Sequence, residues 1–212
     1  IVTRKVFESQ REKVFDFMNQ QIQKGRQAYV VYPLVEESEN MDLKNAIEEF
    51  ESLKVTYPKL KFGLLHGRMK PQEKDEVMNQ FRNKNLDVLV STTVIEVGVD
   101  VPNANLMIIE HSERFGLSQL HQLRGRVGRG EHKSYCVLVL SYASSDESKL
   151  RAETMERYSD GFKIAEVDLE MRGPGEFLGR RQSGLTGFKL ANLVRDIELL
   201  KIFRNFFTLF QF

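Results

Sequence analysis

The sequence predicts an α/β fold, a parallel sheet flanked by helices, followed by a helical hairpin and a tail. Short β-branched or aromatic runs alternate with segments of helical apolar spacing as far as Leu140. Beyond Ser141 the strand signals stop and only helical patterns continue. A chain of 212 residues with 41% apolar content can bury one sizeable core, given about 100–200 residues per domain. The expected division is an α/β lobe over 1–142 and a helical element with its tail over 143–212.

Val14, Phe15, Phe17, Met18 and Ile22 recur at helical spacing and Gly25 follows, which predicts a helix over Ser9–Lys24. The run Ala28–Tyr32, closed by Pro33, reads as a buried strand. A helix over Asp42–Thr56, a strand over Phe62–Leu65, a helix over Pro71–Arg82 and a strand over Val88–Ser91 continue the alternation. Pro71 suits a first helical turn, where its missing N–H costs nothing. Strands over Leu106–Ile109 and Tyr135–Leu140 bracket a helix over Ser118–Arg126. Helices over Asp146–Tyr158 and Phe162–Met171 follow, then a turn at Arg172-Gly173-Pro174-Gly175 and a last helix from about Leu190. In such a sheet, ligands are expected at the carboxyl ends of the strands.

Composition excludes several classes. No run approaches the roughly 18 apolar residues that span a bilayer. The single cysteine, Cys136, lies in an apolar run and reads as a buried hydrophobe, so no intrachain disulfide can form. These features give the expectation of a soluble intracellular protein with no membrane partner. The chain opens on Ile1 and reads as a piece of a longer polypeptide. A net charge of +1 does not by itself suggest nucleic acid, but its distribution is uneven. Acids crowd Glu36–Glu51, whereas Arg124, Arg126, Arg129, Arg172, Arg180 and Arg181 gather later.

No Gly-Lys pair occurs anywhere, so the phosphate-cradling Gly-x-x-x-x-Gly-Lys-[Ser/Thr] loop is absent. The Asp-Glu pairs Asp75-Glu76 and Asp146-Glu147 do not directly follow a buried strand, as a Mg²⁺-holding acid would. No metal site is assigned. Gln122-Leu123-Arg124-Gly125-Arg126-Val127-Gly128-Arg129-Gly130 is more informative. Glycines let its backbone approach a ligand, and arginines three apart can aim two guanidinium groups at one cluster of charged oxygens, a triphosphate being the obvious one. Plain basic loops also carry Arg-Gly pairs. In Ser91–Pro102, hydroxyls at a strand's carboxyl end suit a phosphate and Gly98 permits a tight turn presenting Asp100. The same residue types also cap helices.

Gln122–Arg129 resembles motif VI of superfamily-2 helicases, Gln-x-x-Gly-Arg-x-Gly-Arg, and Ser91–Pro102 resembles their motif V. The resemblance implies a RecA-like second helicase lobe in which Arg126 and Arg129 act as fingers on the γ-phosphate of ATP, with Gln122 beside the nucleotide. It implies that Asp100, presented by Gly98, bonds the ribose, and that Thr92 and Thr93 face DNA. Tyr29–Glu37 resembles motif IV, and Leu65-His66-Gly67 resembles the short motif lining the DNA track, which implies DNA contact at His66 and Gly67. Asp160–Gly184 is similar to the translocation motif shared by RecG helicases and the transcription-repair coupling factor Mfd. Its coupling positions fall on Arg151, Arg172 and Gln182.

Glu110–His121 and Gly173-Pro174-Gly175 resemble the RecG family more closely than Mfd, and the likeness runs from about Val6 to Leu200. It implies a bacterial-type, cytoplasmic, nucleoid-associated, ATP-dependent DNA helicase remodelling stalled forks and branched double-stranded DNA. Most ATP contacts and Mg²⁺ would come from a first RecA-like lobe, and branch recognition from an N-terminal wedge domain of the same polypeptide. This chain alone is then expected to be inactive. An Mfd-like lobe and a non-catalytic DNA- or protein-binding lobe are the alternatives. The Phe-rich segment Ile202–Phe212 departs from the family pattern.

Overall fold

In the computed structural model, residues 1–34, 39–92 and 100–177 are described, Glu39 and 172–177 as backbone only. Two compact units divide the chain, Ile1–Ser159 and Asp160–Phe212. Among the described residues the first holds six strands: β1 (Val2–Phe7), β2 (Gln27–Val31), β3 (Phe62–Leu65), β4 (Val88–Ser91), β5 (Ala104–Ile109) and β6 (Tyr135–Leu140). Its helices are α1 (Arg11–Gln23), α2 (Glu39–Thr56), α3 (Pro71–Arg82), α4 (Leu117–Arg124) and α5 (Asp146–Arg157). All strand pairs are parallel, in the order β1-β6-β5-β2-β4-β3.

Local chemistry fixes where the elements begin and end. After α1, Gly25 takes φ +77°, and Gly25 N and Arg26 N donate to Ile22 O (2.8 Å) and Gln21 O (3.1 Å). This left-handed turn satisfies two end carbonyls that a residue with a Cβ would reach only under strain. Pro71 occupies the first turn of α3, and the Glu73 carboxylate accepts from Lys70 N (2.9 Å). Ser145 caps α5 by accepting from Ser148 N (3.2 Å).

Alternation along the central strands sends side chains to both faces. Ala28, Val30, Val90, Leu106 and Ile108, each wholly buried, meet Val14, Phe15 and Met18 of α1 and Ala46 of α2. On the opposite face Tyr29 packs edge-on against Phe81 of α3, with ring centroids 5.0 Å apart. Burying each large aliphatic or aromatic side chain in these layers contributes about 1.5–3 kcal/mol. Cys136 is fully buried on β6, and burial pushes its thiol up to about 12.

Several sequence expectations shift. The strand Val2–Phe7 is not among those predicted; it lies at one edge of the sheet, and Arg4 and Lys5 interrupt its apolar pattern. The first unit runs to Ser159, past the boundary expected at residue 142, because α5 packs beside β1 and the turn Ser112–Arg114. In the second unit, α6 spans Gly161–Phe177, so the backbone stays helical through Arg172-Gly173-Pro174-Gly175, where the sequence predicts a turn. Local propensity is a weak determinant that context overrides, even where Pro174 supplies no N–H. The helix expected from Leu190 and the Phe-rich segment lie outside the described residues. No described helix is long and apolar enough to cross a membrane.

Candidate functional site

The predicted site residues fall into two groups. At the carboxyl ends of β3 and β4, Thr92 N donates to Leu65 O (3.1 Å), which brings Thr92 beside His66 and Gly67. The Ser91 and Thr92 hydroxyls and His66 Nδ1 are buried with no hydrogen-bond partner among the described residues. Burial, with Lys74 and Arg68 adding, pushes the His66 imidazole below its ordinary range, which keeps it neutral near pH 7. Lys74 Nζ donates to Gly67 O (2.9 Å) and Arg68 to Asn40 Oδ1. Thus a half-buried imidazole and two hydroxyls lie near two cationic side chains. Thr93 and Gly98 lie outside the described residues.

The second group gathers where β5 and β6 begin. Arg129 Nη1 pairs with Asp100 Oδ1 at 2.5 Å, and its Nε donates to Gly125 O (3.1 Å). Arg126 is half-buried and its guanidinium makes no hydrogen bond or ion pair among the described residues, and Gln122 is exposed on α4. Burial pushes the nearby Tyr29 phenol up to about 12, with Arg126 and Arg129 opposing the rise and Asp100 adding to it. Gly128 makes the loop's reversal at φ +84°. At Gly130 the loop presses on the segment carrying Asp100: a Cβ there would lie 2.3 Å from Pro102 O. Gly130 was not singled out from the sequence, because only the fold reveals what its missing side chain admits.

Parallel strands explain the separation. The connection from β4 to β5 must return from the carboxyl edge of the sheet to its amino edge, so Thr92 and Asp100 end on opposite sides. Of the two groups, only the first lies at the carboxyl ends of the strands, where the sequence places ligands.

Arg124 takes no part in either group. It is buried, and its guanidinium donates to Met155 O (2.9 Å), Tyr158 O (2.8 Å) and Ser159 O (3.1 Å) around the end of α5. Arg151, on α5, donates to Glu113 O (3.0 Å) and Ser148 Oγ (2.9 Å) and pairs with Glu147 at 2.6 Å. Arg172 lies within α6 with its side chain undescribed, and Gln182 lies outside the described residues.

A third polar network was missed in the sequence. Arg11 donates to Glu110 (2.7 Å), Glu49 (2.6 Å) and the Tyr32 hydroxyl (3.2 Å), joining α1, α2 and the ends of β2 and β5. Nearby, Arg114 grips Asp42 through two bonds of 2.7 and 2.9 Å. These acids of α2 face arginines of the same lobe. Among the described residues no group of His, Cys, Asp and Glu has metal-holding geometry.

The helicase conserved C-terminal domain model matches residues 9–131, more than half of the chain. The chain belongs to that helicase C-terminal domain family. Within it, the expected kinship with RecG is borne out: a model of the C-terminal part of domain 3 of the ATP-dependent DNA helicase RecG matches residues 158–208. The RecG helicase of Synechocystis sp. is 52% identical over 206 residues, covering 97% of this chain and 25% of the relative. That of Thermotoga maritima is 54% identical over 191 residues, covering 89% of this chain and 24% of the relative. This helicase C-terminal chain thus spans about a quarter of the length of these curated relatives.

A solved structure of RecG bound to a three-way DNA junction superposes with a TM-score of 0.73 at 48% identity, covering 95% of this chain and 26% of that one. The S. cerevisiae protein Dbp5 superposes with a TM-score of 0.52 at 16% identity over 81% of this chain and 44% of that one, which shows the RecA-like helicase fold alone.

Proposed function

We propose that this chain is the second motor lobe of an ATP-dependent DNA translocase that remodels branched double-stranded DNA, including stalled forks, in the bacterial nucleoid. The observation that carries this reading is Arg126. A half-buried guanidinium with no partner among the described residues, on a glycine-bounded loop beside Arg129, suits a multiply charged oxygen cluster. Arg126 and Arg129 would hold the γ-phosphate of ATP, whose hydrolysis supplies the driving energy. Gln122 and the Gly98–Asp100 segment would contact the rest of the nucleotide. Mg²⁺ and most nucleotide contacts fall to a first lobe, and branch recognition to a wedge domain, elsewhere in the polypeptide.

The His66, Gly67, Thr92 and Thr93 group would line the DNA track. Residues from 143 onward would form the translocation lever, with Arg151, Arg172 and Gln182 coupling it to the motor. The reading is supported by the order of the motifs and by the 48–54% identity to RecG helicases.

The test is ATP turnover by the full-length parent on forked DNA. DNA-stimulated wild-type turnover that falls about 10³-fold in Arg126→Ala, with the fold unchanged, is expected of an arginine finger. Equal turnover in the variant would reject the assignment.

A further inference from the structure

The face of the sheet against which α1 and α2 pack is not covered out to its edge. Side chains of β2, β4, β5 and β6 fill the apolar cluster on this face, whereas β1 adds only Val6, which is half-buried. Alternation along β1 sends Val2, Arg4 and Val6 to the same side. With Phe17 of α1 and Tyr135 of β6 they line an open groove of about 310 Å³, and Val14 and Val137 form its buried floor. The contacts of β1 with α5 lie elsewhere: Lys5 N donates to Glu156 (2.9 Å), and the Lys5 amine pairs with Glu153.

The rim of this groove is cationic. Arg4, Lys13 and Lys133 are exposed, and none of them makes an ion pair among the described residues. The acids of α1, Glu12 and Asp16, lie on the flank toward Tyr57, where they reinforce burial in pushing its phenol up. Charge and apolar surface are thus sorted: the cleft accepts large apolar side chains and its border accepts carboxylates. In such an arrangement the border charges set partner choice and encounter rate, while the apolar anchor supplies most of the affinity. The volume stands at the small end of the roughly 300–1,000 Å³ of ligand clefts, which suits one or two side chains of an extended segment.

Nucleic acid fits less well. Single strands bind by stacking bases on open aromatic faces. Here Phe17 meets Tyr135 edge-on with ring centroids 5.0 Å apart, and Lys133 Nζ stands over the Tyr135 ring, 5.9 Å from its centre.

We propose that this groove docks a short acidic segment of another protein, which lays one or two large apolar side chains in the cleft and sets carboxylates against Arg4, Lys13 and Lys133. The lining residues belong to neither candidate site group, so the inference stands apart from the motor-lobe reading.

The experiment titrates the full-length parent into a short fluorescein-labelled peptide that carries Phe and Leu among aspartates, and follows anisotropy. Saturable, salt-sensitive binding is expected. The double variant Arg4→Glu/Lys13→Glu should bind about tenfold more weakly at unchanged melting temperature, because like charges then face each other. A peptide with lysines for the aspartates, or with serines for Phe and Leu, should not bind. No binding by the wild type, equal affinity in the variant, or full affinity without the apolar pair would overturn the proposal. Displacement of the peptide by a single-stranded oligonucleotide that itself binds more weakly to the double variant would make the groove a nucleic-acid site and overturn it as well.

Access is tested separately with Lys13→Cys in the parent. Maleimide should label position 13, as located by mass mapping, and the aspartate peptide should protect it. A position that stays unlabelled without peptide would mean that another part of the parent, or a second copy, already covers the groove, and the proposal would fall.

Discussion

Arg129 Nη1 and Asp100 Oδ1 lie 2.5 Å apart, joining two segments that the sequence singles out separately. Both side chains are about half exposed, 41% and 49%, so water screens the pair and its contribution to stability is about 0.2–1 kcal/mol. Its value lies in placing the two groups. Asp100→Asn is therefore expected to leave thermal melting within a few degrees of wild type while raising the KM for ATP of the parent enzyme several-fold. Melting and steady-state turnover measure both. A large drop in melting temperature with unchanged KM would show that the pair is structural and not part of the nucleotide site.

Gly130 presses on Pro102 backbone, a contact that cannot yield as a flexible side chain would. Gly130→Ala should cost about 1–3 kcal/mol by overpacking and lower the melting temperature by about 2–10 °C. Because Gly130 adjoins Arg129 and Pro102 lies two residues from Asp100, ATP turnover in the parent should fall too. Calorimetry of the chain and turnover by the parent check the two effects; a variant matching wild type in both would mean that the two segments are not in register here.

Glu110 carries a pH dependence whose sign follows from its surroundings. Burial holds its carboxyl above the ordinary carboxylate range even though Arg11 is bonded to it. A raised pKa means that the folded state favours the protonated form. This contribution is complete below about pH 4.5 and is lost as pH rises through the higher folded value. In Glu110→Gln that loss disappears, apart from a constant offset for the altered bond to Arg11. Denaturant unfolding across this range should show the wild type losing ground to the variant as pH increases. A difference independent of pH would rule this out.

Much of the fold was legible because it rests on local periodicity. The strands Phe62–Leu65, Val88–Ser91 and Tyr135–Leu140 and the helix Pro71–Arg82 stand within the limits their apolar patterns and Pro71 imply. The β1 edge was not legible, since a strand with one neighbour keeps polar residues that blur the pattern. The backbone at Arg172–Gly175 went against its Gly-Pro-Gly composition. Among candidate site residues, the motif order singled out Arg129 and Asp100, which the structure brings together, but spacing could not separate Arg124 from its neighbours. Three arginines within six residues look alike until burial sends one inward.

The sequence by itself determined the alternation of strands and helices, the absence of a phosphate-cradling loop and the helicase motifs in their order. Only the tertiary structure decided that Thr92 and Asp100 part to opposite edges of the sheet, that Arg129 turns back to Asp100, and that Arg124 holds the end of α5. The physical reason is that apolar periodicity is a local property, written residue by residue. By contrast, a crossover's return path, a backbone approach at Gly130 and the donors available to three end carbonyls depend on segments far apart in the chain meeting in space.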